Sequence, residues 1–318
     1  MESKMNFKLM SMAGQGGSVF GMSLMALMNC RSDLMVLSSD MSTPAGLDKF
    51  KAAFPDHFMN MGIAEQNLIG TASGLADEGY KVVCVAQASF LSMRGFEQLR
   101  QYCGYMQIPL VAVGIGSGLS LQYMGNTHYA IEDLALMRTI PGMQVIAPCD
   151  AYEAVKAFEY AVDCGHPVYL RLFGGTAVPA VFNEEEPFVG GKAIRLREGK
   201  DLQIVAAGSM VDKALKVAVE LSSEGIDASV VDMHTVKPLD TEALALDGKL
   251  IVTLEEHSII GGLGSAVAEV LCQYDCHPKL VKIGLKDHFV TVGSYLYLLE
   301  QAGLTVEHIK SEIVNSLK

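Results

Sequence analysis

The residue with the most chemistry in this sequence is a carboxylate on the apolar face of a helix. In MNMGIAEQNLIGTASGLAD, residues 59–77, Ile63, Leu68, Ile69, Ala72, Leu75 and Ala76 recur at helical spacing, and Asn60 or Gly62 can open the helix. Glu65 precedes Leu68, Ile69 and Ala72 by three, four and seven residues, so its carboxylate falls on the face expected to be buried. An acid in a first helical turn also favours the amide dipoles, a purely structural role. An unpartnered buried carboxylate is costly, however, and it calls for a ligand or proton partner such as a protonated ring nitrogen. On the residues alone both readings stand.

A second candidate is His128 in GNTHYAIED, residues 125–133. The pattern predicts a helix start there, with Asn126 or Thr127 as cap. Amide dipoles at such a start favour a neutral imidazole, able to donate to or accept from a hydroxyl. Two other features carry less. The segment GGLGSAVAE, residues 261–269, invites a phosphate-binding reading, but it is no GxGxxG match, and packing glycines explain it better. Cys272 and Cys276 stand close in CQYDC without neighbouring histidine pairs, which is weak evidence for metal.

These residues need elements to hold them. Apolar runs at 34–40, 81–86, 109–116, 143–147 and 167–172 read as strands, alternating with helices at 19–28, around Glu65, 92–106, 129–139 and 151–162. After residue 191 the alternation repeats, with strands at 201–208, 228–233, 249–256 and near 279, and helices at 211–222 and after GGLG. Short runs rich in Val, Ile and Leu between amphipathic helices predict an α/β protein whose mainly parallel sheets are covered by helices. FGGTAVPAVFNEEEPFVGG, residues 173–191, breaks the pattern with Gly, Pro and acids. We therefore expect two domains, 1–175 and 192–318, joined by a linker at 176–191, and an arm before about Gly17.

With 318 residues, half of them hydrophobic, the chain is long enough for two proper cores. The net charge of -12, without a basic run, argues against nucleic-acid binding. No apolar stretch reaches membrane-spanning length, and MESKMNFKLM lacks the apolar core of a secretory signal. Seven scattered cysteines read as buried thiols in a reducing cytoplasm.

Four segments together have a wider meaning: GIAEQN, ASFLSMRGFEQLRQY, NTHYAIEDLALMRTIPGMQVIAP and VVDMHTVKPLD. In this order, from about Gly14 to about Gly284, the chain resembles the C-terminal half of transketolase and of deoxyxylulose-phosphate synthase. More specifically, it resembles the separately encoded C-terminal subunits of split transketolases. The resemblance implies a pyrimidine-binding domain followed by a transketolase C-terminal domain. In that family the glutamate of the GIAEQ-type motif hydrogen-bonds the aminopyrimidine of thiamine diphosphate, and Glu65 matches it. Phe90 matches an aromatic residue of the aminopyrimidine pocket, Met93 stands at the place of a second, and Arg94 and Phe96 fall nearby, Arg94 being expected to bind substrate. Asp40 matches an acid near the cofactor. His128 matches a histidine that contacts the donor substrate. Arg171, in PVYLR, matches a phosphate-contacting arginine, and its structural alternative is pairing with the linker acids Glu184–Glu186.

The resemblance also shows departures. Relatives read DGPTHQ or DGQTHQ where this chain has Met124 in place of the aspartate. A histidine that helps bind sugar phosphate has Gly114 as its nearest match. Both changes put the usual ketose-phosphate specificity in doubt. The family holds Mg2+ and the diphosphate through a GDG segment and a later Asn, and no GDG occurs here. The chain therefore reads as the C-terminal subunit of a thiamine-dependent, transketolase-like enzyme that transfers two-carbon ketol units. Its N-terminal partner would carry the metal and diphosphate site in a two-plus-two heterotetramer. The alternatives are a deoxyxylulose-synthase-like subunit, an oxo-acid dehydrogenase beta-like subunit, and a catalytically silent stabilising or regulatory subunit.

Overall fold

The computed structural model describes residues 14–174 and 178–318, so most of the expected N-terminal arm lies outside the described residues. One sheet contains Leu34–Ser38 (β1), Phe58–Asn60 (β2), Lys81–Gln87 (β3), Val111–Ile115 (β4), Gln144–Ile146 (β5) and Val168–Leu172 (β6). After Ile194–Arg197 (β7), Leu202–Ala206 (β8) and Ala228–Asp232 (β9), the chain crosses back, and Thr235–Lys237 (β10) joins that first sheet. Leu250–Ser258 (β11) and Lys279–Leu285 (β12) complete the second sheet. The strand orders are β10-β5-β6-β4-β3-β1-β2 and β12-β11-β8-β9-β7. All pairs are parallel except β10 on β5 and β7 on β9. Both sheets are thus mainly parallel, as the alternating pattern predicted.

Every residue of β1, β4 and β6 is buried, which is why these strands read as mainly apolar runs, with Arg171 the charged exception in β6. One face of the first sheet packs on Leu68, Ile69 and Ala72 of the helix Glu65–Asp77. The other packs on Phe20 and Leu24 of Phe20–Met28 and on Ala154 and Phe158 of Ala151–Asp163. The core is continuous across the two units: the cluster containing Leu37 and Leu68 also contains Val205, Val231 and Leu263.

Three expectations change. The helix expected at 92–106 is three short pieces, Ala88–Met93, Phe96–Leu99 and Arg100–Tyr105, interrupted at Gly95. A Cβ at Gly95 would run into the Ile69 side chain and the Leu91 carbonyl, so the break lets this segment press on the Glu65 helix. The described part of the expected linker is a packed strap. Its Val181 and Phe182 amides donate to Asp150 Oδ2 at 2.8 and 2.9 Å, and Tyr152 donates to the Glu186 carbonyl at 2.9 Å. The cysteines are all free, yet only Cys84, Cys103 and Cys149 are buried, and Cys30, Cys272 and Cys276 are exposed. No helix among the described residues is long and apolar enough to cross a membrane.

Candidate active site

Parallel strands send the segments that follow them out at one edge of the sheet. Asp40 follows β1, Glu65 follows β2, Phe90, Met93 and Arg94 follow β3, and the loop carrying His128 follows β4. β4, β3, β1 and β2 are neighbours in that order, so topology alone gathers these residues along one stretch of edge.

Glu65 is the first residue of its helix, after Ala64, and no side chain caps it. The approach is fixed by short polar contacts. Ser39 Oγ donates to the Gly62 carbonyl at 2.8 Å and accepts from the Ala64 amide at 3.1 Å. Asn60 Oδ1 accepts from the Gly62 and Asp40 amides at 3.0 and 3.1 Å. Gly62 makes the turn with φ +72°. Ile63, expected on the buried face, precedes the helix and is 75% exposed, because the chain is still turning there. The Glu65 side chain is only 3% exposed, and Arg94 Nη1 donates to its Oε2 at 2.8 Å. The first-turn position and the buried carboxylate are therefore both real, and the partner in this chain is Arg94.

The Arg94 guanidinium also lies over the Phe90 ring, 4.7 Å from its centre. His128 meets the same ring edge-on, at 5.3 Å and 61°. Phe90, Met93 and Arg94 together with Ser89, Asn126, Thr127 and Tyr129 line a cavity of about 240 Å3. His128 is not at a helix start, contrary to the sequence pattern: it sits in a turn, and the helix begins at Asp133. What holds it is its own carbonyl, which accepts from Gln87 Nε2 at 3.2 Å and Ser89 Oγ at 3.1 Å, while Nδ1 pairs with Thr127 Oγ1 at 2.9 Å. Asn126 does not cap a helix either, and its amide donates to the Val290 carbonyl at 2.7 Å. Asp40 is exposed, with φ +52°, and its carboxylate accepts from Asn60 Nδ2 at 3.5 Å. Met124 is half exposed on the one-turn helix Gln122–Met124.

The structural alternative for Arg171 needs correction: it does not pair with Glu184–Glu186. Its side chain is 4% exposed and lines no part of the cavity. Its Nε donates to Asp133 Oδ2 at 2.8 Å, and Nη2 donates to the Ala130 and Glu256 carbonyls, both at 3.0 Å. Tyr169 donates to the same Asp133 oxygen at 2.8 Å. The arginine therefore ties the His128 loop to β6 and β11 from behind. A Cβ at Gly114 would lie 2.5 Å from Tyr169 Oη, so the glycine makes room for this buried network.

The sequence reading missed Asp133, Tyr169 and Glu256. Glu256 Oε1 accepts from the Leu119 amide at 2.7 Å, and Oε2 accepts from Ser209 Oγ and Tyr295 Oη at 2.6 and 2.5 Å. The second unit thereby braces the loop after β4, where Gly118, at φ +59°, leaves room for the carboxylate. That loop in turn pairs with Ala130, next but one to His128. The only signal available in the sequence was an acid inside an apolar strand, LIVTLEE.

The GGLG turn is structural. Glu255 accepts from the Leu263 and Gly264 amides at 2.7 and 2.8 Å and fills the helix start that an anion would need. Burial pushes Glu255 up to about 7, while those amides work against the rise. Among the described residues one group brings metal-ligating atoms together: Cys149, Glu153 and Asp232, within 4.8 Å of one another and buried. It lies at the seam between the two units and lines no part of the 240 Å3 cavity.

The sequence profile described as "Transketolase, pyrimidine binding domain" matches residues 15–173, and that described as "Transketolase, C-terminal domain" matches residues 191–309. A 6-deoxy-6-sulfo-D-fructose transketolase subunit of Clostridium sp. (strain MSTE9) is 38% identical over 87% of this chain and 86% of its own length. An apulose-4-phosphate transketolase subunit of Phocaeicola vulgatus is 37% identical over 90% and 92%. A solved structure described as "Split gene transketolase, inactive beta4 tetramer" superposes with a TM-score of 0.84 at 40% identity, covering 94% of this chain and 97% of that one. Transketolase from Pichia stipitis shares the fold at 20% identity and a TM-score of 0.81, with this chain matching 45% of its length.

Proposed function

The chain belongs to the transketolase family, and from that premise we propose that it is the C-terminal half of a two-chain, thiamine diphosphate-dependent enzyme. The enzyme moves a two-carbon ketol unit from a ketose to an aldose. The carrying observation is Glu65, a carboxylate held almost out of water beside an aromatic ring and already paired with a flat cation. Such a place fits the aminopyrimidine of the cofactor, whose protonated ring nitrogen is also a flat cation with N–H donors.

Thiamine diphosphate supplies the electron sink for making and breaking the carbon–carbon bond. The tasks of this chain are narrower. Glu65 holds a proton at the ring nitrogen, Phe90 and Met93 pack on the ring, and His128 hydrogen-bonds a substrate hydroxyl beside it. Asp40 borders the site. The diphosphate and Mg2+ fall to an N-terminal partner subunit, because the sequence has no GDG segment. Two copies of each chain in a closed symmetric assembly complete the sites.

Substrate choice follows from Met124, an apolar chain where the resemblance leads one to expect an acid; Gly114 faces the buried Tyr169 and takes no part in it. A buried hydroxyl left without its partner costs about 1–3 kcal/mol. Shorter, deoxygenated or otherwise modified sugars should therefore react better than xylulose 5-phosphate and ribose 5-phosphate. The names of the two curated relatives, a sulfo-sugar and an apulose-phosphate transketolase subunit, agree with modified substrates for this chain. The test is Glu65→Gln in the assembled enzyme. Assembly should survive while turnover falls by at least about a hundredfold, the lower range for losing a positioned acid–base group. Turnover at the wild-type rate would overturn the proposal.

A further inference from the structure

The ion pair of Glu65 and Arg94 has an odd distribution of exposure. The carboxylate is buried, with 3% of its side chain exposed, whereas the arginine side chain is 48% exposed. The Arg94 guanidinium takes the carboxylate at 2.8 Å and at the same time covers Phe90 at 4.7 Å. Those are the two contacts through which the site described above would recognise an aminopyrimidine: a buried acceptor for a ring N–H and an aromatic face for a flat cation.

We propose that Arg94 is an internal competitor for the cofactor, occupying the aminopyrimidine's place in the unloaded chain and leaving it when thiamine diphosphate binds. The proposal rests on the reading of Glu65 and Phe90 as the pyrimidine site. Two flat cations at one carboxylate and one ring face repel each other, so the two occupants exclude one another. Arg94 is the one that can move. Its backbone is pinned, because the following Gly95 is packed against Ile69 and Leu91, but its half-exposed side chain can swing into water. Glu65 is fixed in its helix and stays. The device keeps a buried carboxylate paired in the absence of cofactor, which an empty pocket would not do.

A pocket occupied by its own side chain nine-tenths of the time weakens apparent binding about tenfold. The experiment is calorimetric titration of thiamine diphosphate, with Mg2+, into the assembled two-chain complex. Arg94→Met keeps length and apolar contact but removes the charge, and should lower the dissociation constant about tenfold. Arg94→Lys keeps the charge without the flat fork and should fall between. Equal or weaker binding by Arg94→Met overturns the proposal while leaving the pyrimidine site in place. A wild-type complex that binds no cofactor overturns the site and this inference together. A crystal structure of the loaded wild-type complex decides independently of any variant. Arg94 clear of Glu65 is the expected result, and Arg94 still within hydrogen-bonding distance of Glu65 overturns it.

Discussion

Gly114 shows how much of the site depends on residues that do no chemistry. The space a side chain would need there is taken by Tyr169, whose hydroxyl serves Asp133, which in turn holds Arg171. Overfilling a packed interior costs about 1–3 kcal/mol, so Gly114→Ala should lower unfolding stability by that amount. The loss should shrink in a Tyr169→Phe background, which removes the contacting oxygen. Denaturant unfolding of the four proteins checks this, and an equal loss in both backgrounds would rule out the contact as its cause. The same network explains what could be read from the sequence at this scale. Glu65 was legible because its carboxylate and its apolar neighbours lie within one helix. Arg171 was not, because its partner Asp133 is 38 residues away and the carbonyls it holds belong to other elements. The family motif carried Phe90 and Arg94, but only coordinates join Arg94 to Glu65.

Among the elements, the central strands were legible because burial on both faces leaves them mainly apolar. Of the four edge strands only β12 was legible. β2 and β10 are three residues long, β7 is four, and their pairing is decided by tertiary contact and not by pattern. The misplaced helix start at His128 has the same cause. Ala130 exchanges backbone hydrogen bonds with Gly118, and the Ile131 carbonyl accepts from the Ser258 amide, so the groups that would have closed the first turn are spent elsewhere. At the seam, the helix Ala151–Asp163 and the end of β9 bring Glu153 and Asp232 together in full burial. Burial pushes Asp232 up to about 7, and burial plus the neighbouring Asp232 raises Glu153 well above the carboxylate range. A group whose pKa is raised on folding stabilises the protein most below its unfolded value and loses that contribution as pH climbs through the folded one. Stability should therefore decline as pH climbs from about 4, through about 7 for Asp232 and further for Glu153, at about 1.4 kcal/mol per pH unit for one proton. Glu153→Gln supplies a permanent donor and should flatten the decline. Denaturation midpoints across that range measure it, and an unchanged slope in the variant would show that Glu153 has no part in the decline.

At the scale of the whole molecule, the two units share a core, β10 of the second joins the sheet of the first, and Glu256 reaches from the second unit to the site loop. The sequence reading divided the chain at 176–191, and the two family profiles stop at 173 and resume at 191. The packing of that segment was not legible, because Gly, Pro and acids look alike in a tether and in a strap. What the sequence reading did expect was a half site, from Glu65 without a GDG segment. The central claim is that this chain completes a cofactor site only with a second, different chain. The most direct test is calorimetric titration of thiamine diphosphate and Mg2+ into the chain alone and into its mixture with the N-terminal subunit, with assembly mass followed in parallel. The account predicts negligible binding by the chain alone, then saturable binding and a two-plus-two assembly in the mixture. Tight, Mg2+-dependent binding by the isolated chain would contradict it.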